Sequence, residues 1–323
     1  MSDFSNTANK ISDNISRVIV GKDKQIELLL VALTVGGHVL LEDVPGTGKT
    51  KMARSLAASL GVDFKRVQFT IDLLPSDLTG INYYDRSSGQ FIFRPGPLFT
   101  NILLADEINR ATARTQSSLL ECMEEKQVTV DGQTRQLKPP FLVIATQNPV
   151  ESQGTFPLPE AQLDRFLMML SMEYPTHDES RDILKRFASE DPLESLDAVA
   201  SADDIAKMSA ESRKVFVSAV VLDYAINIVE ATRNAPEVRI GASPRALLTY
   251  VAAARALALI RGRDHVIPDD LKELAVPVLA HRLTLQSGSF GGDGKFMSNR
   301  ERAAKTVEDI LDSVTCPTED FSS

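Results

Sequence analysis

Short apolar runs alternate with longer amphipathic segments through the first half of the chain. Each run ends in charged or turn-forming residues, and the segments between runs carry apolar residues at helical spacing. Runs of this length predict buried strands, and the spacing between them predicts helices. This alternation predicts an α/β region. The predicted strands lie at 39–41, 64–69, 102–105, 141–146 and 167–172, and the predicted helices at 3–17, 24–35, 49–60 and 113–125.

The second half of the chain, from Asp178 onward, shows helical periodicity and no strand signal. Ser243 followed by Pro244 is typical of an N-cap with proline at the first helical position. The sequence at 298–301 matches a capping box, which predicts the start of another helix. We therefore expect a helical region after a linker at 174–176, which divides the chain into parts at 1–175 and 176–323.

Two segments of the first half are predicted to form hairpins outside the core strands. The irregular segment at 71–99 carries turn-forming residues at 86–89 between two aromatic-rich runs. The segment at 127–137 alternates around Asp131 and Gly132, a strong signal for a two-residue hairpin turn. A plain surface hairpin is the alternative for 127–137. Long insertions of this kind usually carry function rather than core packing.

The stretch from His38 to Thr50, HVLLEDVPGTGKT, joins a predicted strand, a Gly/Pro loop and the start of a predicted helix. That context is typical of a phosphate-binding P-loop with the pattern G-x-x-x-x-G-K-[ST]. The chain departs from the pattern at its first position, where Asp43 replaces glycine.

The residues that contact phosphate in such a loop are all present. The backbone N–H groups of Gly46, Thr47 and Gly48 can point at a phosphate beside the positive end of the following helix. Lys49 is expected to reach the β- and γ-phosphates of ATP, and the Thr50 hydroxyl to ligate Mg²⁺. We therefore predict ATP and Mg²⁺ as ligands.

A second motif places two adjacent acids at the end of the strand at 102–105. Downstream of a P-loop, this arrangement is a Walker B pattern. Asp106 is expected to support Mg²⁺, and Glu107 to act as the base for the attacking water.

Two further stretches each allow two interpretations. Asn148 follows the strand at 141–146, where it is either a turn former or the residue that holds the attacking water. The apolar segment at 19–21, which includes Val20 and Gly21, either packs on the nucleotide base or staples the next helix.

Composition and charge indicate which ligands the protein is not expected to bind broadly and in which compartment it works. The chain of 323 residues has a formal net charge of −9, which disfavours a broad nucleic-acid surface. Cys122 and Cys316 are far apart and match no metal-binding spacing, so we expect both to be reduced. The polar N-terminus does not resemble a signal peptide, and no apolar run is long enough to span a bilayer. We expect a cytoplasmic protein with no membrane partner.

Taken in order, the motifs resemble those of the AAA+ ATPases, and most closely those of the MoxR family. The motifs that carry the resemblance extend from Gly21 to Leu247; they are LLEDVPGTGKT, LLADEINRA, QSSLLECMEEKQVTVDG, ATQNP, LPEAQLDRF and GASPRAL. The resemblance implies the P-loop NTPase (AAA+) fold, in which a parallel sheet flanked by helices is followed by an all-α lid domain. It also makes 71–99 the insertion in helix two and 127–137 the pre-sensor hairpin, both facing a ring pore or a substrate.

The resemblance assigns roles to three residues outside the P-loop and Walker B motifs. Asn148 matches sensor 1, Arg165 the arginine finger that reaches the next subunit, and Arg245 the sensor 2 position in the lid. Arg110 and Arg114 are the other candidates for the finger. The alternative for Arg165 is a surface salt bridge with a neighbouring acid, and the alternative for Arg245 is a chance position at a helix N-terminus, which the helix dipole disfavours for a cation. The expected nucleotide-binding positions are Val20, Gly21, Pro45, Gly46, Thr47, Gly48, Lys49, Thr50 and Asp106.

The family implies a function in which Mg²⁺–ATP hydrolysis in a hexameric ring remodels a partner protein. Von Willebrand type A domain proteins, in maturation or metal insertion, are one class of partner. A magnesium-chelatase-like subunit or a nucleic-acid motor is the second interpretation, although Arg86 and Arg94 are too few to offset the acidic balance. A scaffold that binds ATP without turnover is the third, and Glu107 and Asn148 argue against it.

Overall fold

A computed structural model of the chain describes residues 3–42, 46–147, 155–188, 191–286 and 298–317. Each strand and helix predicted in the first half is present. In chain order the elements are α1 (Asp3–Ser16), α2 (Asp23–Val35), β1 (Val39–Glu42), α3 (Lys49–Leu60), β2 (Phe64–Gln68), α4 (Pro75–Thr79), β3 (Gly80–Asp85), β4 (Gln90–Pro95), β5 (Ile102–Asp106), α5 (Ala113–Glu125), β6 (Gln127–Val130), β7 (Gln133–Gln136), β8 (Leu142–Gln147), α6 (Glu160–Leu163), β9 (Met168–Ser171), α7 (His177–Arg186), α8 (Ala202–Ser212), α9 (Ala219–Asn234), β10 (Val238–Ile240), α10 (Pro244–Ile260), α11 (Pro268–Leu279), β11 (Thr284–Leu285) and α12 (Asn299–Ser313).

Within the described residues, five strands form one parallel sheet in the order β2-β5-β8-β1-β9. The register pairs Gln68 of β2 with Asp106 of β5, and Glu42 of β1 with Gln147 of β8. Because the strands are parallel, their carboxyl ends lie at one edge of the sheet. That edge therefore gathers the start of the P-loop, the acids after β5 and the end of β8.

Side chains of the central strands alternate between two hydrophobic cores. In β1, Val39 and Leu41 face one core, and Leu40 faces the other. The first core continues through α1, α2 and α3 into α8 to α12, while the second is closed by α4, α5 and β6. Burial on both faces explains why the central strands read as continuous apolar runs.

His38 fixes the start of the P-loop strand against both neighbours. Its ring Nδ1 accepts a hydrogen bond from the Val143 N–H at 3.0 Å, and its Nε2 donates to the Met123 carbonyl at 3.0 Å. Burial lowers the pKa of His38 to about 4, so the ring is neutral at pH 7. A neutral imidazole can donate from one nitrogen and accept at the other, which this position requires.

The two predicted hairpins are present and contact each other. Asp131 and Gly132 have φ values of 49° and 75°, as a two-residue type I′ turn requires. The Asn82 side chain of β3 donates to Asp131 Oδ2 at 2.7 Å. The Arg135 guanidinium lies 3.8 Å from the centre of the Phe93 ring. The insertion hairpin β3–β4 and the pre-sensor hairpin β6–β7 therefore form one surface.

The C-terminal half is helical as predicted, except for a short antiparallel pair formed by β10 and β11. Val238 pairs with Leu285, and Ile240 pairs with Thr284. Strands of three and two residues are too short to show the two-residue period on which strand prediction depends.

The predicted helix starts of the C-terminal half are confirmed by their caps. Ser243 Oγ accepts from the Ala246 N–H at 3.1 Å, and Ser298 and Glu301 form the reciprocal bonds of a capping box. The division of the chain between residues 175 and 176 stays a prediction. None of the described helices combines the length and the apolar character needed to cross a membrane.

Candidate active site

A cavity of about 840 Å³ lies at the carboxyl edge of the sheet. Its walls come from the P-loop, from the ends of β2, β5 and β8, from the segment before α2 and from α7. A volume in this range is typical of small-molecule sites. The cavity therefore gathers most of the residues that the sequence predicted for nucleotide binding.

Two glycines in the described part of the P-loop have a left-handed backbone conformation. Gly46 and Gly48 have φ values of 93° and 90°, a region that residues with a Cβ rarely adopt. A Cβ at Gly46 would meet nothing within 4 Å, so backbone conformation rather than space demands this glycine. Lys49 and Thr50 open helix α3 and line the cavity beside Thr47. Pro45, which was also predicted to contact nucleotide, lies outside the described residues.

Asp106 is a buried carboxylate with both oxygens in contact. The Thr146 hydroxyl donates to Asp106 Oδ1 at 3.3 Å, and Arg66 Nε donates to Oδ2 at 2.6 Å. Asp106 is only 8% exposed, whereas the Arg66 side chain is 52% exposed and lines the cavity. The carboxylate is thus held in one orientation and paired with a cation.

Glu107 turns away from the strand in a left-handed conformation with φ of 55°. Its N–H donates to Thr146 Oγ1 at 2.9 Å, which fixes the backbone. Gln68 Nε2 donates to Glu107 Oε2 at 2.8 Å, and Arg110 Nε lies 3.0 Å from the same oxygen. The structure therefore places both predicted acids in the cavity, each held by a side chain of β2.

Another part of the cavity wall is apolar. Residues 18–20 come from the segment before α2, and Ile183, Leu184 and Phe187 come from α7. The Lys51 ammonium lies 3.7 Å from the centre of the Phe187 ring and anchors it to α3. Such a surface suits the flat, apolar faces of a nucleotide base.

Gly21 has a different structural role from Val20. Val20 lines the cavity, but Gly21 is not among the described residues that do so. Its φ of 67° is a left-handed conformation that favours glycine, and its backbone lies beside the Glu179 side chain of α7, since a Cβ at Gly21 would lie 1.8 Å from Glu179 Oε1. A direct contact of Gly21 with nucleotide stays a prediction.

Arg165 and Arg245 meet at a single carboxylate. Arg165 Nε donates to Glu124 Oε2 at 2.9 Å, and Arg245 lies 3.1 Å from Glu124 Oε1. The hydrogen bond from Arg165, together with the charge of Arg245, lowers the pKa of Glu124. Among the described residues that line the cavity, neither arginine is present.

The segment that carries Arg165 is held by the C-terminal half. Arg282 lies 3.1 Å from Asp164 Oδ1 and donates to the Phe166 carbonyl at 2.8 Å. Burial lowers the pKa of Arg282 to about 10, which still leaves it charged at pH 7. A shift of the C-terminal helices would therefore move the chain on both sides of Arg165.

The other two finger candidates have different surroundings from Arg165. Arg110 contacts Glu107 of its own chain, and Arg114 lies exposed on α5. Asn148 lies outside the described residues, so its role stays a prediction.

Comparisons with known proteins agree with this geometry. A family model described as the ATPase family associated with various cellular activities (AAA) matches residues 38–168, and an AAA lid domain model matches 230–310. Chaperone MoxR1 of Mycobacterium tuberculosis is 45% identical over 280 residues, which cover 84% of this chain and 74% of that protein. Protein MoxR of Methylorubrum extorquens is 33% identical, over 88% of this chain and 90% of that protein. The chain belongs to the MoxR family of AAA+ ATPases.

Two further similarities extend over nearly the whole MoxR-family chain. Protein YeaC of Bacillus subtilis is 49% identical over 308 residues, which cover 95% of this chain and 94% of that protein. The crystal structure of a protein from Cytophaga hutchinsonii, described as a candidate ATPase, is 39% identical and covers 98% of this chain with a TM-score of 0.88. The predicted AAA+ fold and ATP hydrolysis are thereby confirmed.

Sequence reasoning missed the three cavity residues of this MoxR-family ATPase that bond to the two acids: Arg66, Gln68 and Thr146. Arg66 and Gln68 lie two residues apart on β2 and therefore share one face of the sheet. In the sequence they are visible only as two polar residues on a strand, and that strand pairs with the one that ends in the Walker B acids. Only the strand order shows that β2 is that neighbour.

We predict that Glu107→Gln will bind ATP with unchanged affinity and hydrolyse it about 10²–10⁴-fold more slowly, because the amide keeps the shape and removes the base. Calorimetry and phosphate release measure the two quantities. Glu230→Gln, which removes the same charge from an exposed position on α9, is the control and should behave as wild type. Turnover within a few-fold of wild type would exclude Glu107 as the base.

Proposed function

We propose that this MoxR-family ATPase works as a ring, of six subunits, that uses Mg²⁺–ATP hydrolysis to remodel a partner protein. The observation that carries the proposal is the shared position of Arg165 and Arg245 on Glu124, away from the cavity of their own chain. Phosphoryl transfer needs cationic groups at the γ-phosphate, where an arginine finger supplied by another subunit is common. A second copy that presents Arg165 would complete the site.

The cavity residues fit Mg²⁺ as the metal. A hydroxyl from Thr50 and a carboxylate from Asp106 are hard oxygen donors, and Mg²⁺ typically binds through one or two carboxylates together with substrate phosphates. When bound, Mg²⁺ would neutralise charge that develops on the β- and γ-phosphate oxygens.

The residues of the chain then hold the phosphates and the base and activate the attacking water. Lys49 and the N–H groups of 46–48 hold the phosphates, and the apolar surface of 18–20 and α7 holds the base. Glu107 takes a proton from the attacking water, with Gln68 and Arg110 setting the orientation of its carboxylate. Asn148, which follows β8 in the sequence, would help to place the same water.

We infer that the C-terminal half, at 176–323, acts as the lid that transmits nucleotide state. It contributes the α7 wall of the cavity, and it holds the Arg165 segment through Arg282 and Ser243. It also reaches the end of β1, where Arg300 pairs with Glu42 at 2.7 Å. A change in lid angle would therefore act on the nucleotide and on the finger together.

The proposed surface for the partner protein is the insertion hairpin. Its strands expose five large apolar side chains: Ile81, Tyr83, Tyr84, Phe91 and Ile92. Phe91 is 74% exposed although its ring packs edge-on against Tyr84, with the ring centroids 5.4 Å apart. Exposed apolar patches of this kind mark protein-binding surfaces. The relative named Chaperone MoxR1 supports a protein as the partner. Von Willebrand type A domain proteins, in maturation or metal insertion, are the partner class that we propose.

We predict that Arg165→Ala will bind ATP but hydrolyse it about 10³-fold or more slowly, because the finger acts only during transfer. Mixing Arg165→Ala with Lys49→Ala subunits should restore activity, since some interfaces then join an intact P-loop to an intact finger. Phosphate release measures the recovery.

The control mixture combines Arg165→Ala subunits with the double variant Lys49→Ala/Arg165→Ala. The double variant offers neither an intact P-loop nor an intact finger, so this mixture should stay inactive. If mixed rings form, as shown by pull-down of differently tagged subunits, and the first mixture remains inactive, the finger assignment is wrong.

We further predict that Tyr84→Ser/Phe91→Ser will bind a permanently unfolded probe, reduced carboxymethylated α-lactalbumin, about tenfold more weakly, because it loses apolar contact area. Anisotropy of the labelled probe with a non-hydrolysable ATP analogue measures binding. Ile240→Ser, which removes an exposed apolar side chain from β10, is the control. Equal binding by all three proteins would exclude the hairpin as the partner surface.

A further inference from the structure

Arg66 of β2 forms an ion pair with Asp106, the carboxylate that we propose as a ligand of Mg²⁺. Its Nε donates to Asp106 Oδ2 at 2.6 Å, and its terminal nitrogen lies 3.4 Å from Gln68 Oε1. We propose that Arg66 is a resident counter-cation of the Mg²⁺ site, which neutralises Asp106 without metal and leaves it when Mg²⁺ binds. This proposal rests on the proposed role of Asp106 as a metal ligand.

The pair is required because Asp106 is buried. A carboxylate that is 8% exposed would be strongly destabilising if it were left uncompensated. Thr146 contributes a neutral hydrogen bond to Oδ1, so the compensating charge comes from Arg66. The arginine thus stabilises the nucleotide-binding edge of the sheet before any ligand is present.

The same position makes Arg66 and a metal mutually exclusive. Thr146 occupies one acceptor site of Asp106 Oδ1, and Arg66 holds Oδ2 with the shorter, charge-assisted bond, so a metal ion at Oδ2 competes with Arg66. A guanidinium and a divalent ion within hydrogen-bond distance of one oxygen repel each other strongly, because two like charges a few ångströms apart interact unfavourably even near a protein surface. The free energy of metal binding is therefore reduced by the free energy needed to displace Arg66.

The side chain has room to make this exchange. Arg66 is 52% exposed, lies on an edge strand of the sheet and lines the cavity. Moving away from Asp106 takes the guanidinium toward the nucleotide phosphates or toward solvent without disturbing the core. Lys65, the preceding residue, points to the other face of β2, where its Nζ contacts the Gly96 carbonyl at 3.4 Å.

The test is direct binding of Mn²⁺ as a surrogate for Mg²⁺, without turnover. Protein saturated with the non-hydrolysable analogue AMP-PNP is titrated with Mn²⁺, and electron paramagnetic resonance measures the free ion. We expect Arg66→Met to bind Mn²⁺ about fivefold more tightly than wild type, because the ion no longer competes with a half-exposed charge-assisted hydrogen bond. Affinity for AMP-PNP in EDTA should fall, because Asp106 then repels the phosphates without compensation.

Three variants separate the possible outcomes. Lys65→Met removes one positive charge from the adjacent position and should leave Mn²⁺ affinity unchanged. Arg66→Lys keeps the charge and should return the affinity toward wild type, which a purely structural role of the arginine would not produce. Asp106→Asn should weaken Mn²⁺ binding sharply; if it does not, the proposed metal role of Asp106 fails.

Unchanged or weaker Mn²⁺ binding by folded Arg66→Met, while Asp106→Asn still weakens it, would overturn the counter-cation proposal and leave the metal site intact. Circular dichroism verifies folding. If the Met variant does not fold, Arg66→Gln repeats the measurement with the same expected direction.

Discussion

The parallel register of β2, β5, β8 and β1 is the constraint on which the site depends. It brings the start of the P-loop, two acids and two polar side chains of β2 to one edge, although they are distant in sequence. The negative charge there is offset by two arginines, since Arg66 pairs with Asp106 and Arg110 lies 3.0 Å from Glu107. Arg66 holds Asp106 and Gln68 holds Glu107, so the sheet orients the catalytic groups before nucleotide arrives.

The same chain also carries cationic groups that its own cavity does not use. Glu124 holds Arg165 and Arg245 side by side, and the C-terminal half supports the segment around Arg165 from the other side. A carboxylate is a fair substitute for a phosphate as a partner of two guanidinium groups. We therefore propose that hydrolysis requires an assembly, in which the arginines of one subunit contact the nucleotide bound to the next subunit.

Local sequence patterns predicted the core strands, the P-loop helix, the Walker B acids and the caps of the C-terminal helices, because each depends on residues close together in the chain. The contacts of Arg66 and Gln68 could not be predicted, since they arise from strand order. The roles of Arg165 and Arg245 came from family resemblance. A salt bridge between Arg165 and a neighbouring acid was the alternative, but no pattern indicated that the acid is Glu124 or that Arg245 shares it. The β10–β11 pair was missed because its strands are too short to show a period.

We propose that the site is complete only between subunits. Phosphate release per subunit, measured across a dilution series alongside sedimentation velocity, tests this claim most directly. We expect turnover per subunit to rise in proportion to the assembled fraction, and monomers to have almost no activity. Monomers that hydrolyse ATP at the same rate per subunit as the assembled form would contradict it.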